Sequence, residues 1–302
     1  MKRTARIKKS LLAALTVIPL TALLASCAGA SDGPATGTDG DVIKIGVVGA
    51  SDAYWDVYTE AAAAEGIEIE IVDFAQYPQV NPALAAGEVD LNQFQHIVYL
   101  AEYNEASGED LAPIGATAIY PLGLYSTQYS NVDDIVKGDT VAVPDDDSNQ
   151  ARALVILQSN GLIELTDGGS IFSSLDDVDE QASKVKVTAL DASLTASSLP
   201  DVAAAIINND FAEKAGLKFS EAIATDDATD PQALPYVNVF ASRAEDKNNK
   251  TFQKLVEIYQ TTEAVQDGVF AVSGETAEMV TTPVSDLVES LATVQSDITA
   301  AK

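Results

Sequence analysis

Two β-rich runs separated by one helix-forming stretch constrain this chain more than any other feature. "VIKIGVVGA" (42–50) ends in Gly and Ala, an alanine-rich stretch runs on to Gly66, and "IEIEIVDF" (67–74) then alternates. Strand, helix, strand is a βαβ unit, and the parallel sheet it starts must be covered by helices. "NPALAAGEVDLNQF" (81–94) predicts a very short helix capped by Asn81, with Pro82 at its first position and Gly87 at its end, before another strand. A helix is expected from Gln95 to about Gly108. "TAIYPLGLYS" (117–126) reads as strand and opens a new set of elements. These are "DTVAVP" (139–144), a helix from about Ser148 to Asn160 closed by Gly161, "KVKVTAL" (184–190) and "AAAIIN" (203–208). The chain returns through β-rich "LPYVNVFASR" (234–243) to two C-terminal helical stretches. The pattern predicts an α/β protein of two lobes joined by two chain crossings. Residues 42–123 and 238–302 would form the first lobe and 124–237 the second. Ligands of such sheets sit outside the carboxyl ends of strands, and a cleft between lobes can close.

The N-terminus reads as an export signal. Lys2, Arg3, Arg6, Lys8 and Lys9 precede the uncharged run Leu11 to Ala25, which is too short, with Pro19 inside it, for a comfortable membrane span. "LASC" (24–27) resembles a bacterial lipobox, which implies a signal peptide over 1–26, cleavage before Cys27 and acylation of that cysteine. Cys27 is the only cysteine, so neither an intramolecular disulfide nor thiol catalysis in the folded body is expected. Small, polar, turn-prone residues then fill 28–41, as suits a flexible tether between lipid and domain. Five of the 17 basic residues and none of the 46 acids lie in the signal, so the mature chain carries 12 minus 46, or −34. A field of that sign repels nucleic acid and anionic headgroups, and nucleic-acid functions are excluded.

Three groups of residues are not explained by local structure. Arg152 and Arg243 are the only arginines after the signal, and Arg152 falls in the first turn of a helix, where a cation is unfavourable. Either the helix amides and guanidinium bind a carboxylate, or Asp145, Asp146 or Asp147 pairs with the arginine. Asn208 ends "AAAII" and Asn238 interrupts "YVNVF". Buried asparagine amides need partners, and their carbonyls suit an ammonium group, although Asn208, followed by Asn209, also reads as a turn. "NQFQHIVYLAEY" (92–103) holds the only histidine, His96, with Phe94, Tyr99 and Tyr103. His96 and Tyr99 are spaced to share a helix face, either as packing residues or as an aromatic wall with one polar edge. Such a wall suits an apolar side chain or a thioether, whose sulfur–aromatic contacts add about 0.3–1.5 kcal/mol. With no second histidine and no further cysteine, no metal site of usual zinc composition is expected, and no cofactor. No Gly-rich phosphate loop or nucleophile elbow accompanies His96, so no catalysis is expected.

Taken together, these segments resemble the NlpA/MetQ family of methionine-binding lipoproteins, the substrate-binding proteins of ABC importers. The matching stretches are "FAQYPQVNPALAAGEVDLNQFQHIVYL" (74–100), "PLGLYS" (121–126), "SNQARALVILQSNGLI" (148–163), "LPDVAAAIIN" (199–208), "EKAGL" (213–217) and "YVNVFASR" (236–243). Val80, Asp145 and Ala203 depart from residues usual in the family. The resemblance implies a two-lobed periplasmic-binding-protein fold of type II character, lipid-anchored on the extracytoplasmic face of the cell membrane. By position, Tyr77, Phe94, His96 and Tyr99 would line the pocket for the methionine side chain. Arg152 would hold the α-carboxylate with Asn149 beside it, and Asn208 and Asn238 would receive the ammonium or frame the ligand backbone. The implied partners are L-methionine or a related small molecule, an ABC permease and its ATPase subunit. The alternatives are a different amino acid or a methionine dipeptide as ligand, or an adhesin or scaffold with a non-functional cleft.

Overall fold

The computed structural model describes residues 42–166 and 168–301; the expected signal, Cys27 and the tether lie outside them. β1 (Ile43–Val47), α1 (Tyr54–Ala64) and β2 (Ile69–Asp73) form the expected unit, with β1 and β2 parallel from Ile43 opposite Ile69 to Val47 opposite Asp73. α2 (Val80–Ala85), β3 (Leu91–His96), α3 (Ile97–Ser107) and β4 (Leu111–Ala116) follow. The chain then leaves this sheet through β5 (Ala118–Ile119) for β6 (Gly123–Tyr125), β7 (Thr140–Pro144), α4 (Asp147–Ser159) and β8 (Lys186–Leu190). α5 (Ala192–Thr195), β9 (Ala204–Ile207), α6 (Asn209–Lys214) and β10 (Ala224–Thr225) complete the second set. β11 (Asn238–Arg243) returns to the first sheet, followed by α7 (Lys250–Thr261), α8 (Glu263–Val272), β12 (Glu278–Met279) and α9 (Val284–Ala301).

The strand orders are β2-β1-β3-β11-β4 and β10-β6-β9-β7-β8, with β12 and β5 paired separately. β11 runs antiparallel between β3 and β4. Because β11 comes from far along the chain, closing the first sheet fixes both crossings, at 119–123 and 225–238. Trp55, Tyr58, Phe240 and Tyr259 bury an aromatic cluster under α1 and α7, with Tyr58 and Tyr259 edge to face at 5.5 Å. The Tyr58 hydroxyl donates to Leu255 O at 3.0 Å, which satisfies the one polar atom that ring carries inward. No helix among the described residues is long and apolar enough to cross a membrane.

Four local readings change. Asn81 does not cap α2; it lies inside it, 1% exposed, where its amide bonds the Gln95 amide and accepts from Asn92 at 2.9 Å. β3 continues through His96, because His96 is paired with Asn238 of β11, so strand pairing overrides the helical period at Gln95. α4 begins at Asp147 with Asp146 as its cap, which moves Arg152 into the second turn, beyond the strong reach of the macrodipole. Three helices, α7, α8 and α9, follow β11 where two stretches were expected.

Candidate functional site

A cavity opens between the two sheets at the ends of β3 and β9. Tyr77, Phe94, His96, Tyr99, Asn149, Arg152, Asn208 and Asn238 all line it, brought from five separate stretches of chain. Tyr103 does not; it packs in the core beside α9.

The aromatic wall is built where β3 ends and α3 begins. Phe94 and Tyr99 stand edge to face at 5.5 Å, Tyr77 approaches them at 5.7 and 6.1 Å, and Phe211 adds a fourth ring 5.0 Å from Tyr77. Burial drives the Tyr77 hydroxyl well above its ordinary range, and it donates to Asp210 Oδ2 at 2.7 Å. That contact joins the first set of elements to α6 of the second.

His96 is the N-cap of α3 rather than a member of it. Its Nδ1 accepts from the Tyr99 backbone N–H at 3.2 Å, an end donor that no helix turn can satisfy. With Nδ1 accepting, the proton sits on Nε2, which faces Asn149 Oδ1 at 3.4 Å. Burial and the nearby Arg152 charge lower its pKa to about 3, so the ring stays neutral near pH 7. Asn149 Oδ1 also accepts from Asn208 Nδ2 at 3.0 Å, while its own Nδ2 donates to Asp146 Oδ1 at 2.9 Å. Burial pushes Asp146 up to about 6, partly offset by the bonds from Asn149 and Ser148. Asn208 is 8% exposed, and its Oδ1 has no partner among the described residues. A buried acceptor left unpaired costs about 1–3 kcal/mol, a penalty that an incoming donor removes.

Arg152 pairs with none of the three neighbouring acids. Its Nε donates to Asp226 Oδ2 at 2.6 Å, its Nη2 donates to Tyr120 O at 2.8 Å, and its guanidinium lies 4.4 Å over the Tyr236 ring. A guanidinium has five N–H groups, so three remain free of partners among the described residues after these two bonds, including both on Nη1. The local aspartates serve the helix instead, with Asp146 accepting from the Asn149 N–H at 3.0 Å. Asp226, Tyr236 and Tyr120 have no local sequence signal, since their role follows from where the crossings pass.

Acids also line the cavity. Asp52 on the β1–α1 connection faces Asp210, Glu213 and Lys214. Burial, then the hydrogen bond and charge of Glu213, raise Asp52 to about 8. Asp210 is raised by burial to about 6, against the stabilising bond from Tyr77.

A cleft between two α/β sheets, with an incompletely used arginine and an unpaired amide oxygen beside an aromatic wall, defines a solute-binding protein of the periplasmic type. The chain belongs to the NlpA lipoprotein family, whose model matches residues 43–275. It is 35% identical over 234 residues to outer membrane lipoprotein 2 of Mannheimia haemolytica, covering 77% of this chain and 84% of that one. It is likewise 35% identical to the D-methionine-binding lipoprotein MetQ of Escherichia coli K12, over 76% of this chain and 84% of the relative. Among solved structures, protein PG110 of Staphylococcus aureus superposes with a TM-score of 0.79 at 33% identity, covering 83% of this chain and 99% of that one. A nutrient-binding protein of Burkholderia cenocepacia, solved bound to methionine, gives 0.73 at 35% identity, covering 79% and 99%.

Proposed function

We propose that this protein captures methionine, or a close derivative, in the cleft and presents it to the permease of an ABC importer. One observation carries the reading. Within one cavity, counting partners among the described residues, Arg152 keeps three N–H groups to offer, Asn208 keeps an unpaired acceptor, and Tyr77, Phe94 and Tyr99 supply an apolar wall. A carboxylate, an ammonium and an apolar side chain are what those three parts bind. The methionine-binding relative and the neighbour solved with methionine support the choice of side chain. In this reading Tyr77, Phe94, His96 and Tyr99 surround the thioether. Asn149 keeps His96 and Asn208 in register, Arg152 takes the α-carboxylate, and Asn208 and Asn238 frame the amino group. Acylation at Cys27 would hold the protein at the extracytoplasmic face of the membrane; a Cys27→Ser variant is expected to lose detergent-phase partitioning.

The test is a set of thermal melts on protein lacking residues 1–27, unfolded and refolded to strip bound ligand. Ligand at 100 times its dissociation constant stabilises by about 2.7 kcal/mol, which raises the midpoint of a body this size by about 5–10 °C. Methionine is expected to produce that shift and L-leucine none. A shift with methionine sulfoxide or a Gly-Met dipeptide alone would move the substrate, and no shift with any of them would remove the function.

A further inference from the structure

The guanidinium of Arg152 already has an anion before any ligand arrives, and that anion comes from a crossing between the sheets. Asp226 follows β10 directly, and its two oxygens are divided: Oδ2 accepts from Arg152 Nε at 2.6 Å and Oδ1 accepts from the Leu122 backbone N–H at 2.7 Å. Leu122 lies on the other crossing, as does Tyr120, whose carbonyl takes an Nη2 hydrogen. Asp226 is thereby fixed at both ends, and it fixes the plane of the guanidinium together with the Tyr236 ring. Among the described residues it is the one acid that forms an ion pair with Arg152.

We propose that Asp226 is a specificity-determining residue that makes the carboxylate subsite select a zwitterion over a simple anion. This rests on the reading of the cleft as an amino-acid site. The Arg152–Asp226 pair carries no net charge. A ligand carboxylate bound to the remaining N–H groups adds one negative charge to a cavity that Asp210 and Glu213 already line and where Arg152 is 6% exposed. An α-ammonium on the same ligand, received by Asn208 Oδ1, cancels it. A ligand with hydroxyl in place of ammonium leaves it uncancelled, and a buried unpaired charge is what such sites reject most strongly. Without Asp226 the balance inverts: the bare guanidinium neutralises a monoanion and carries a surplus charge beside a zwitterion.

The experiment compares L-methionine with its 2-hydroxy analogue by calorimetry on ligand-stripped wild type, Asp226→Asn and Asp226→Glu. Wild type is expected to prefer methionine. Asp226→Asn is expected to narrow that preference about tenfold, a size that allows for the carboxylate's 23% exposure. Asp226→Glu restores the charge and is expected to recover most of the preference. Should Asp226→Asn fail to melt cooperatively, Asp226→Ser, a smaller neutral replacement, takes its place. Equal weakening of both ligands with the ratio unchanged would show Asp226 to be structural only and overturn the proposal. Wild type that binds neither compound would instead overturn the methionine reading, and this inference with it.

Discussion

Arg152 and Arg243 show how differently one residue type is used in one chain. Arg243 spends its donors on the fold. Nη1 bonds Leu84 O and Val89 O at 3.1 and 2.9 Å, and Nη2 and Nε reach Asp246 at 2.8 and 3.1 Å. It ties the end of β11 to the connection between α2 and β3. Among the described residues Arg152 makes two bonds and keeps three donors. Arg152→Ala is therefore expected to weaken methionine binding about 100-fold or more while the ligand-free protein still folds. Arg243→Ala should destabilise by about 3 kcal/mol, because the Leu84 and Val89 carbonyls and the Asp246 carboxylate lose a shared donor, yet change affinity less than about twofold in protein that remains folded. Calorimetry and urea unfolding on the two variants separate these roles; loss of binding without loss of stability in Arg243→Ala would contradict them. The sequence singled out Arg152 as a cation in a first helical turn, a ground that the start of α4 at Asp147 removes. That its anion is Asp226 was not legible there, because 74 residues separate the pair and only the folded crossings bring them together.

At the scale of the element, the junction of β3 and α3 carries two functions in one residue. His96 ends a strand, caps a helix through Nδ1 and reaches Asn149 through Nε2. His96→Asn should keep the cap, since asparagine is a strong N-cap, and retain the melting midpoint while weakening methionine binding. His96→Ala should lose both, with about 1 kcal/mol of stability. Equal midpoints for the two variants would show that the cap contributes nothing. The packing of β4 on α7 offers a second test. A Cβ on Gly115 would clash with both methyl groups of Val256, which no rotamer change of so short a side chain relieves fully. Gly115→Ala is expected to cost about 1–3 kcal/mol by urea unfolding, and a loss under about 0.5 kcal/mol would mean that α7 shifts freely. Element types were readable from period and turn residues, whereas boundaries depended on pairing. β3 runs to His96 because β11 hydrogen-bonds beside it, and Asn81 turns inward because Asn92 and Gln95 need partners in the core.

For the whole molecule, folding gathers acids that the chain keeps apart. Asp52 is raised to about 8 by burial and Glu213, and Glu102 to about 8 by burial and the charges of Asp146 and Asp147. Asp146 and Asp210 rise to about 6, chiefly through burial. In the folded state each holds a proton that the unfolded chain releases near 4. Their stabilising contribution is therefore full below about pH 4 and is lost as pH rises toward 8. His96 opposes this, since its depressed value means stability present above 6.5 and lost as pH falls toward 3. Four groups outweigh one, so the melting midpoint of ligand-free protein should be higher at pH 5.5 than at pH 8. A midpoint that is flat or rises over that range would refute it. No inflection of binding near pH 6.5 is expected from His96, whose ring is already neutral there.

Sequence pattern sufficed for the α/β class, for most of the element order and for marking out the asparagines and aromatics that local structure leaves unexplained. Those follow from periodicity, turn chemistry and polarity, which act over a few residues. Only folding places β11 between β3 and β4, brings Asp226 to Arg152, and leaves the Asn208 Oδ1 in the cavity without a partner among the described residues. Each depends on contacts between segments far apart in the chain. Which donor reaches which acceptor is set by the packing of two sheets around one cleft, and no local pattern records it.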